Sequence, residues 1–166
     1  MIEITRKVKS AEGVAIAGKL SLPWELRQKR WLRTQLVSGE EVAVKLPRGE
    51  SLKGGDLLAT TDGGAIEVVA APENVLHVES VSSQELARAA YHLGNRHAAV
   101  QVGHGFLRIV EDAVLEKLLL GLGAKVTRIK APFEPETGAY GGAHDHASAE
   151  RQGQRADSGR NPRRFE

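Results

Sequence analysis

Six histidines, His77, His92, His97, His104, His144 and His146, are the side chains of this 166-residue sequence best suited to bind a transition metal. There is no cysteine, which removes thiolate zinc sites, iron–sulfur clusters, disulfides and cysteine nucleophiles. A metal site must therefore use nitrogen and oxygen donors, and imidazole suits nickel, copper and zinc better than magnesium or calcium. His97 stands just past Gly94-Asn95, at the expected end of a helix, where an imidazole would face a partner rather than a core. One imidazole is a poor site, but a two-fold axis would duplicate it and bring two rings together. On spacing alone a surface or helix-capping histidine is the simpler account of His97, because such uses are common.

His144 and His146 form a His-x-His pair in a glycine-rich segment. That pattern suits capture and release of a borderline divalent ion, and equally well a tag or chance. His92 lies five residues before His97 and one helical turn after Arg88, on a face expected to be solvated. His77 and His104 read as incidental, one in a strand and one at a hairpin tip.

Enzyme signatures are missing: no His-Glu-x-x-His, no Gly-x-Ser-x-Gly, no Walker A loop and no Gly-x-Gly-x-x-Gly before a helix. Glu134 and Glu136 are close carboxylates beside Phe133, but the flanking prolines favour an extended surface segment over an acid/base pair. Arg27, Lys29, Arg30 and Arg33 around Trp24 and Trp31 resemble a basic and aromatic nucleic-acid surface. The charge of residues 1–72, 11 basic against 9 acidic, makes a solvated strand with tryptophan packing the simpler account.

The elements that must position these residues fall into two patterns. Residues 1–71 show short β segments, at 2–8, 14–20, 30–36, 41–46, 57–60 and 65–70, and no stretch periodic enough for a helix. Pro47-Arg48-Gly49, Lys53-Gly54-Gly55-Asp56 and Asp62-Gly63-Gly64 supply the breaks. Ala71-Pro72-Glu73-Asn74 is the expected hinge, because proline ends the strand before it and the hydrophobic period changes after it.

Beyond the hinge, Val75, Leu76, Val78 and Val81 suggest a strand, and Ser82 with Glu85 has the spacing of a capping box, so a helix should begin at Ser83. Leu86, Ala89, Ala90 and Leu93 form its apolar stripe and Gly94 is its expected stop. Residues 98–102 and 106–110 read as strands flanking the loop Gly103-His104-Gly105. Asp112 should cap a second helix with the stripe Leu115, Leu118, Leu119 and Leu122, stopped by Gly123 before a last strand over 124–129. The order β-α-β-β-α-β predicts a ferredoxin-like domain over residues 75–140, so the fold class is α+β. Residues 141–166 have almost no core-forming side chains and are expected to form a flexible tail.

The formal net charge of +2 resides in residues 147–166, where five arginines stand against Glu150, Asp157 and Glu166. The remaining 18 basic and 18 acidic residues balance, so total charge gives no footprint for nucleic acid. No apolar run approaches the roughly 20 residues needed to cross a bilayer, and the first six residues lack a signal-peptide layout, so a cytoplasmic location and no membrane partner are expected.

Three stretches carry a resemblance. Leu46-Pro47-Arg48-Gly49 with Leu52 and Gly55-Asp56-Leu57-Leu58 is one. Tyr91-His92-Leu93-Gly94-Asn95-Arg96-His97 with Gln101, Asp112, Val114-Leu115 and Leu122-Gly123 is the second. Phe133-Glu134-Pro135-Glu136 followed by Gly138-Ala139-Tyr140 is the third. Over most of residues 1–146 the chain resembles the UreE family of urease accessory proteins.

That resemblance implies a β-rich, peptide-binding-like first domain and a ferredoxin-like second domain that dimerises. It implies a nickel metallochaperone without enzymatic activity, handling Ni2+ and accepting Zn2+ or Cu2+ in vitro. His97 maps onto the family's principal nickel ligand, supplied by both subunits of a homodimer. His144 and His146 map onto tail histidines that add ligands, and His92, matched only in some relatives, is auxiliary. The implied recipients are the accessory GTPase UreG and the apo-urease maturation complex. The sequence departs from relatives with long histidine-rich tails, which disfavours storage of many ions, and it has no histidine over residues 111–113, where some relatives carry secondary sites. The competing readings are a protein-interaction or nucleic-acid module with incidental histidines, and a metallohydrolase.

Overall fold

The computed structural model describes residues 2–8, 15–61 and 63–137, so the expected flexible tail and the pair His144 and His146 lie outside the described residues. The first half builds two small sheets. In one, β1 (Ile2–Ile4) runs parallel to β5 (Glu41–Lys45), which pairs antiparallel with β4 (Trp31–Gln35). In the other, the order is β2 (Lys7–Val8), β6 (Leu57–Ala59), β7 (Ala65–Ala70) and β3 (Ile16–Leu22), with β3 and β7 parallel.

Period-two alternation turns one face of each sheet inward. Ile4, Val42 and Val44 from one sheet and Leu20, Leu22, Leu58, Ile66 and Val68 from the other form a single buried cluster, closed by Leu36, Leu46 and Leu52. The run expected as one strand over 2–8 is interrupted at Thr5-Arg6, because Ile2–Ile4 and Lys7–Val8 pair in different sheets. Against expectation, this half holds a helical turn, α1 (Trp24–Arg27), entered through Pro23 at φ −66. Four residues are too few for a periodic stripe to be visible in sequence.

The second half has the expected β-α-β-β-α-β order: β8 (Pro72–Glu79), α2 (Ser83–Gly94), β9 (Gln101–Gly103), β10 (Phe106–Val110), α3 (Ala113–Gly121) and β11 (Lys125–Pro132). Its antiparallel sheet has the order β11-β8-β10-β9, the ferredoxin-like arrangement. Leu76, Val78, Leu107 and Ile109 from the sheet meet Ala89 and Leu93 of α2 and Leu119 of α3 in a second buried cluster. β8 starts at Pro72 rather than Val75, and Pro72 to Asn74, expected in the hinge, pair with residues 130–132. The hairpin connection is two residues, His104-Gly105, because Gly103 already pairs with Phe106.

Helix starts follow the sequence closely. Ser82 Oγ accepts from the Glu85 N–H at 3.2 Å, and Asp112 Oδ1 accepts from the N–H groups of Val114 and Leu115 at 2.8 and 2.9 Å. Both satisfy donors that a first helical turn leaves without an intrahelical partner. Arg128 of β11 fastens α3 to the sheet, meeting Glu116 through two nitrogens at 3.1 and 2.5 Å and Glu111 at 2.8 Å. The hydrogen bond from Arg128 holds the Glu116 carboxyl below its ordinary range.

The halves meet around Arg27, whose side chain is 1% exposed. Its guanidinium donates to the carbonyls of Leu22 and Phe133 at 3.2 and 2.5 Å and to Glu134 Oε1 at 2.9 Å. Phe133 is fully buried, edge-on to Trp24 with ring centroids 5.7 Å apart. Arg27 therefore does not lie on the solvated strand that its neighbours suggested.

Candidate metal centre

Both helices of the second half end in the same hydrogen-bonded motif. At the end of α3, the Ala124 N–H reaches the Leu119 carbonyl at 3.1 Å and the Gly123 N–H the Leu120 carbonyl at 3.0 Å, with Gly123 at φ 84. At the end of α2, the Ala98 N–H reaches the Leu93 carbonyl at 3.2 Å and the His97 N–H the Gly94 carbonyl at 2.9 Å. This is the Schellman arrangement, whose turning residue takes the left-handed conformation and is usually glycine. In α2 that residue is His97, at φ 55 the only non-glycine with positive φ among the described residues. Gly94, the expected stop, is the last helical residue instead.

An L-residue in this conformation costs about 1–2 kcal/mol, although histidine tolerates it better than most. Strain retained where glycine would relieve it points to a function for the side chain. The motif also sends the His97 side chain outward while Ala98 turns back against the core cluster. Position 97 thus offers an exposed imidazole on a backbone held by two hydrogen bonds.

The remaining histidines are dispersed. His92 sits in the last turn of α2, half-buried rather than on a fully solvated face, with its ring edge-on to Tyr91 at 5.4 Å. His77 lies in β8, its ring 4.7 Å from that of Phe106, and its Nδ1 accepts from Arg108 Nε at 3.3 Å. His104 is exposed at the turn between β9 and β10. Among the described residues, no group of three or more His, Asp or Glu side chains gathers as a metal site. A metal held at His97 would need donors from beyond one protomer's described residues.

Apolar surface flanks α2: Tyr91 is 65% and Val102 55% exposed, and a depression of about 260 Å3 between the β9–β10 hairpin and the start and middle of α2 is lined by Ser82, Ser83, Leu86, Ala90, Val102 and Leu107. Glu134 and Glu136 form no acid/base pair: Glu134 is engaged by Arg27 and by the Gly54 N–H at 2.9 Å. Trp31, by contrast, is 66% exposed beneath Lys45 Nζ at 4.9 Å, so the basic and aromatic run of the first half is split between core and surface. No helix among the described residues is long and apolar enough to cross a membrane.

Two family models match the chain: the UreE urease accessory protein N-terminal domain over residues 3–71 and its C-terminal domain over residues 73–159. A urease accessory protein UreE of Ralstonia nicotianae is 50% identical over 151 residues, covering 88% of this chain and 72% of its own. The protein of the same name from Nitrosospira multiformis is 47% identical, covering 92% of this chain and 86% of its own. That from Janthinobacterium is 49% identical, covering 85% and 82%.

Proposed function

The chain belongs to the UreE family of urease accessory proteins, and from that membership we propose that it is a nickel metallochaperone. It is an accessory protein, not an enzyme. In this reading the second domain, over residues 75–140, dimerises and holds Ni2+ between the two His97 rings, and the first domain, over 1–71, is a β-rich module for a client. His144 and His146 complete the ligand shell, and His92 is auxiliary. The carrier acts in the cytoplasm and hands the ion to the GTPase UreG and the apo-urease maturation complex.

The observation that carries the reading is the strained left-handed His97, kept where glycine closes the sister helix. A two-fold axis near this helix end would pair the imidazoles and cover Tyr91 and Val102. Two rigid imidazoles leave coordination positions open, which transfer to a further ligand requires, and imidazole nitrogen suits nickel. Tail histidines are also within reach. The Glu136 N–H donates to the Val100 carbonyl at 2.8 Å, three residues from His97, and His144 follows Glu136 by only eight residues.

Calorimetric nickel titration tests this, run on the native protein, on His97→Ala and on a chain truncated after Gly142, with mass determined in each state. The expected result is about one nickel per dimer, lost in His97→Ala and bound more weakly after truncation. Nickel bound equally well by His97→Ala would move the site elsewhere.

A further inference from the structure

One edge of the first domain is left open. The order β1-β5-β4 makes β4 an outer strand. The Leu46 N–H donates to the Arg30 carbonyl and the Leu36 N–H to the Glu40 carbonyl, both at 2.9 Å, so the backbone groups of Leu32 and Thr34 between them face β5. Those of Trp31, Arg33 and Gln35 point the other way, where no strand among the described residues pairs with them. The next group in that phase, the Val37 N–H, donates to the Lys19 carbonyl at 2.9 Å and closes the edge.

The side chains along this edge carry exposed aromatic surface and positive charge. Trp31 is 66% exposed at the rim of a hollow of about 530 Å3 that Glu3, Arg33, Ala43 and Lys45 help to line. Arg33 is the only charged residue of β4, Arg30 precedes the strand, and Lys45 Nζ lies 4.9 Å over the Trp31 ring. None of these three cations meets a carboxylate among the described residues, and the acids of this face, Glu3 and Glu41, stand on β1 and β5. Tryptophan and arginine are the residue types that most often anchor interfaces. Two β4 edges paired about Arg33 would set like charges opposite each other, which opposes self-association. A carboxylate in that place turns the same charge into attraction.

We infer that the β4 edge takes up an extended acidic segment of a partner protein as an added strand, with a carboxylate opposite Arg33 and an apolar side chain against Trp31. The inference rests on the reading of the first domain as a client module and on no feature of the nickel site. Side chains on one face of a strand recur every second residue, so the segment carries these two groups at positions i and i+2. The open main-chain groups supply affinity, while Trp31 and Arg33 select the sequence. A nucleic acid could stack on Trp31 and neutralise the cations, but it has no peptide backbone with which to extend the ladder.

The probe is a peptide of about eight residues repeating Phe-Thr-Asp-Thr, titrated into the full-length protein. Bound, it should slow hydrogen exchange at the amides of Trp31, Arg33 and Gln35 and leave those of Leu32 and Thr34, already paired with β5, unchanged. Methylating alternate amide nitrogens of the peptide should abolish binding in one phase and spare it in the other. Arg33→Glu should weaken the peptide about tenfold and favour its counterpart with Lys in place of Asp. No binding at millimolar concentration, equal binding by Arg33→Glu, or tighter binding of an oligothymidylate overturns the inference. Binding that slows none of the three amides keeps the client reading and overturns the β4 edge.

Discussion

A left-handed residue at a helix end costs an L-amino acid about 1–2 kcal/mol, whereas glycine adopts it freely at an entropic cost of roughly 0.5–1 kcal/mol. Gly123 accepts that exchange at the end of α3, and His97 forgoes it at the end of α2. His97→Gly should therefore raise the urea-unfolding free energy of the metal-free protein by up to about 1 kcal/mol while abolishing nickel binding. His97→Ala should abolish binding without the gain in stability, since alanine meets the same strain. A His97→Gly protein less stable than His97→Ala would show that the backbone there is not strained. Sequence reading reached His97 through its place in a matched motif and not through its backbone. The helix stop was assigned to Gly94, because the glycine signal is visible in a sequence and a histidine bearing the same conformation is not.

At the scale of elements, local chemistry was legible and partnership less so. Ser82 and Asp112 mark their helices because capping depends on residues two or three positions away, and α2 starts at Ser83 as expected. The split of residues 2–8 between two sheets and the pairing of Pro72 with Pro132 depend on distant strands and leave no local mark. The ion pairs joining β11 to α3 belong to the same class and give a pH dependence. The Glu116 carboxyl is depressed by the hydrogen bond from Arg128, so the unfolded chain binds its proton more readily than the folded one. Its contribution is therefore complete above the ordinary glutamate range near pH ~4.3 and disappears as the pH falls through the depressed folded value. Urea midpoints measured from pH 6 downward to about 3 should fall less steeply in Arg128→Gln than in the native protein. Equal slopes would remove this pair from the acid response.

For the whole molecule, the junction around Arg27 was the feature least legible in sequence. Arg27 and Glu134 are 107 residues apart, and Arg27 sits in a basic run that suggested solvent. Burial of its guanidinium satisfies two backbone carbonyls as well as Glu134. Arg27→Met would leave those carbonyls without their donor, so it should destabilise the protein by roughly 2–4 kcal/mol. In scanning calorimetry its first-domain unfolding should separate from that of the second domain. One unshifted transition would contradict the coupling.

The proposed sharing of one nickel between two copies of the chain is tested most directly by mixed dimers. Native and His97→Ala protomers, distinguished by mass and co-assembled, would be titrated with nickel and observed by native mass spectrometry. A shared site predicts nickel on native dimers, markedly weaker retention on mixed dimers and none on His97→Ala dimers at the same metal concentration. Mixed dimers that hold nickel as firmly as native ones, or nickel held by single protomers, would contradict the shared site.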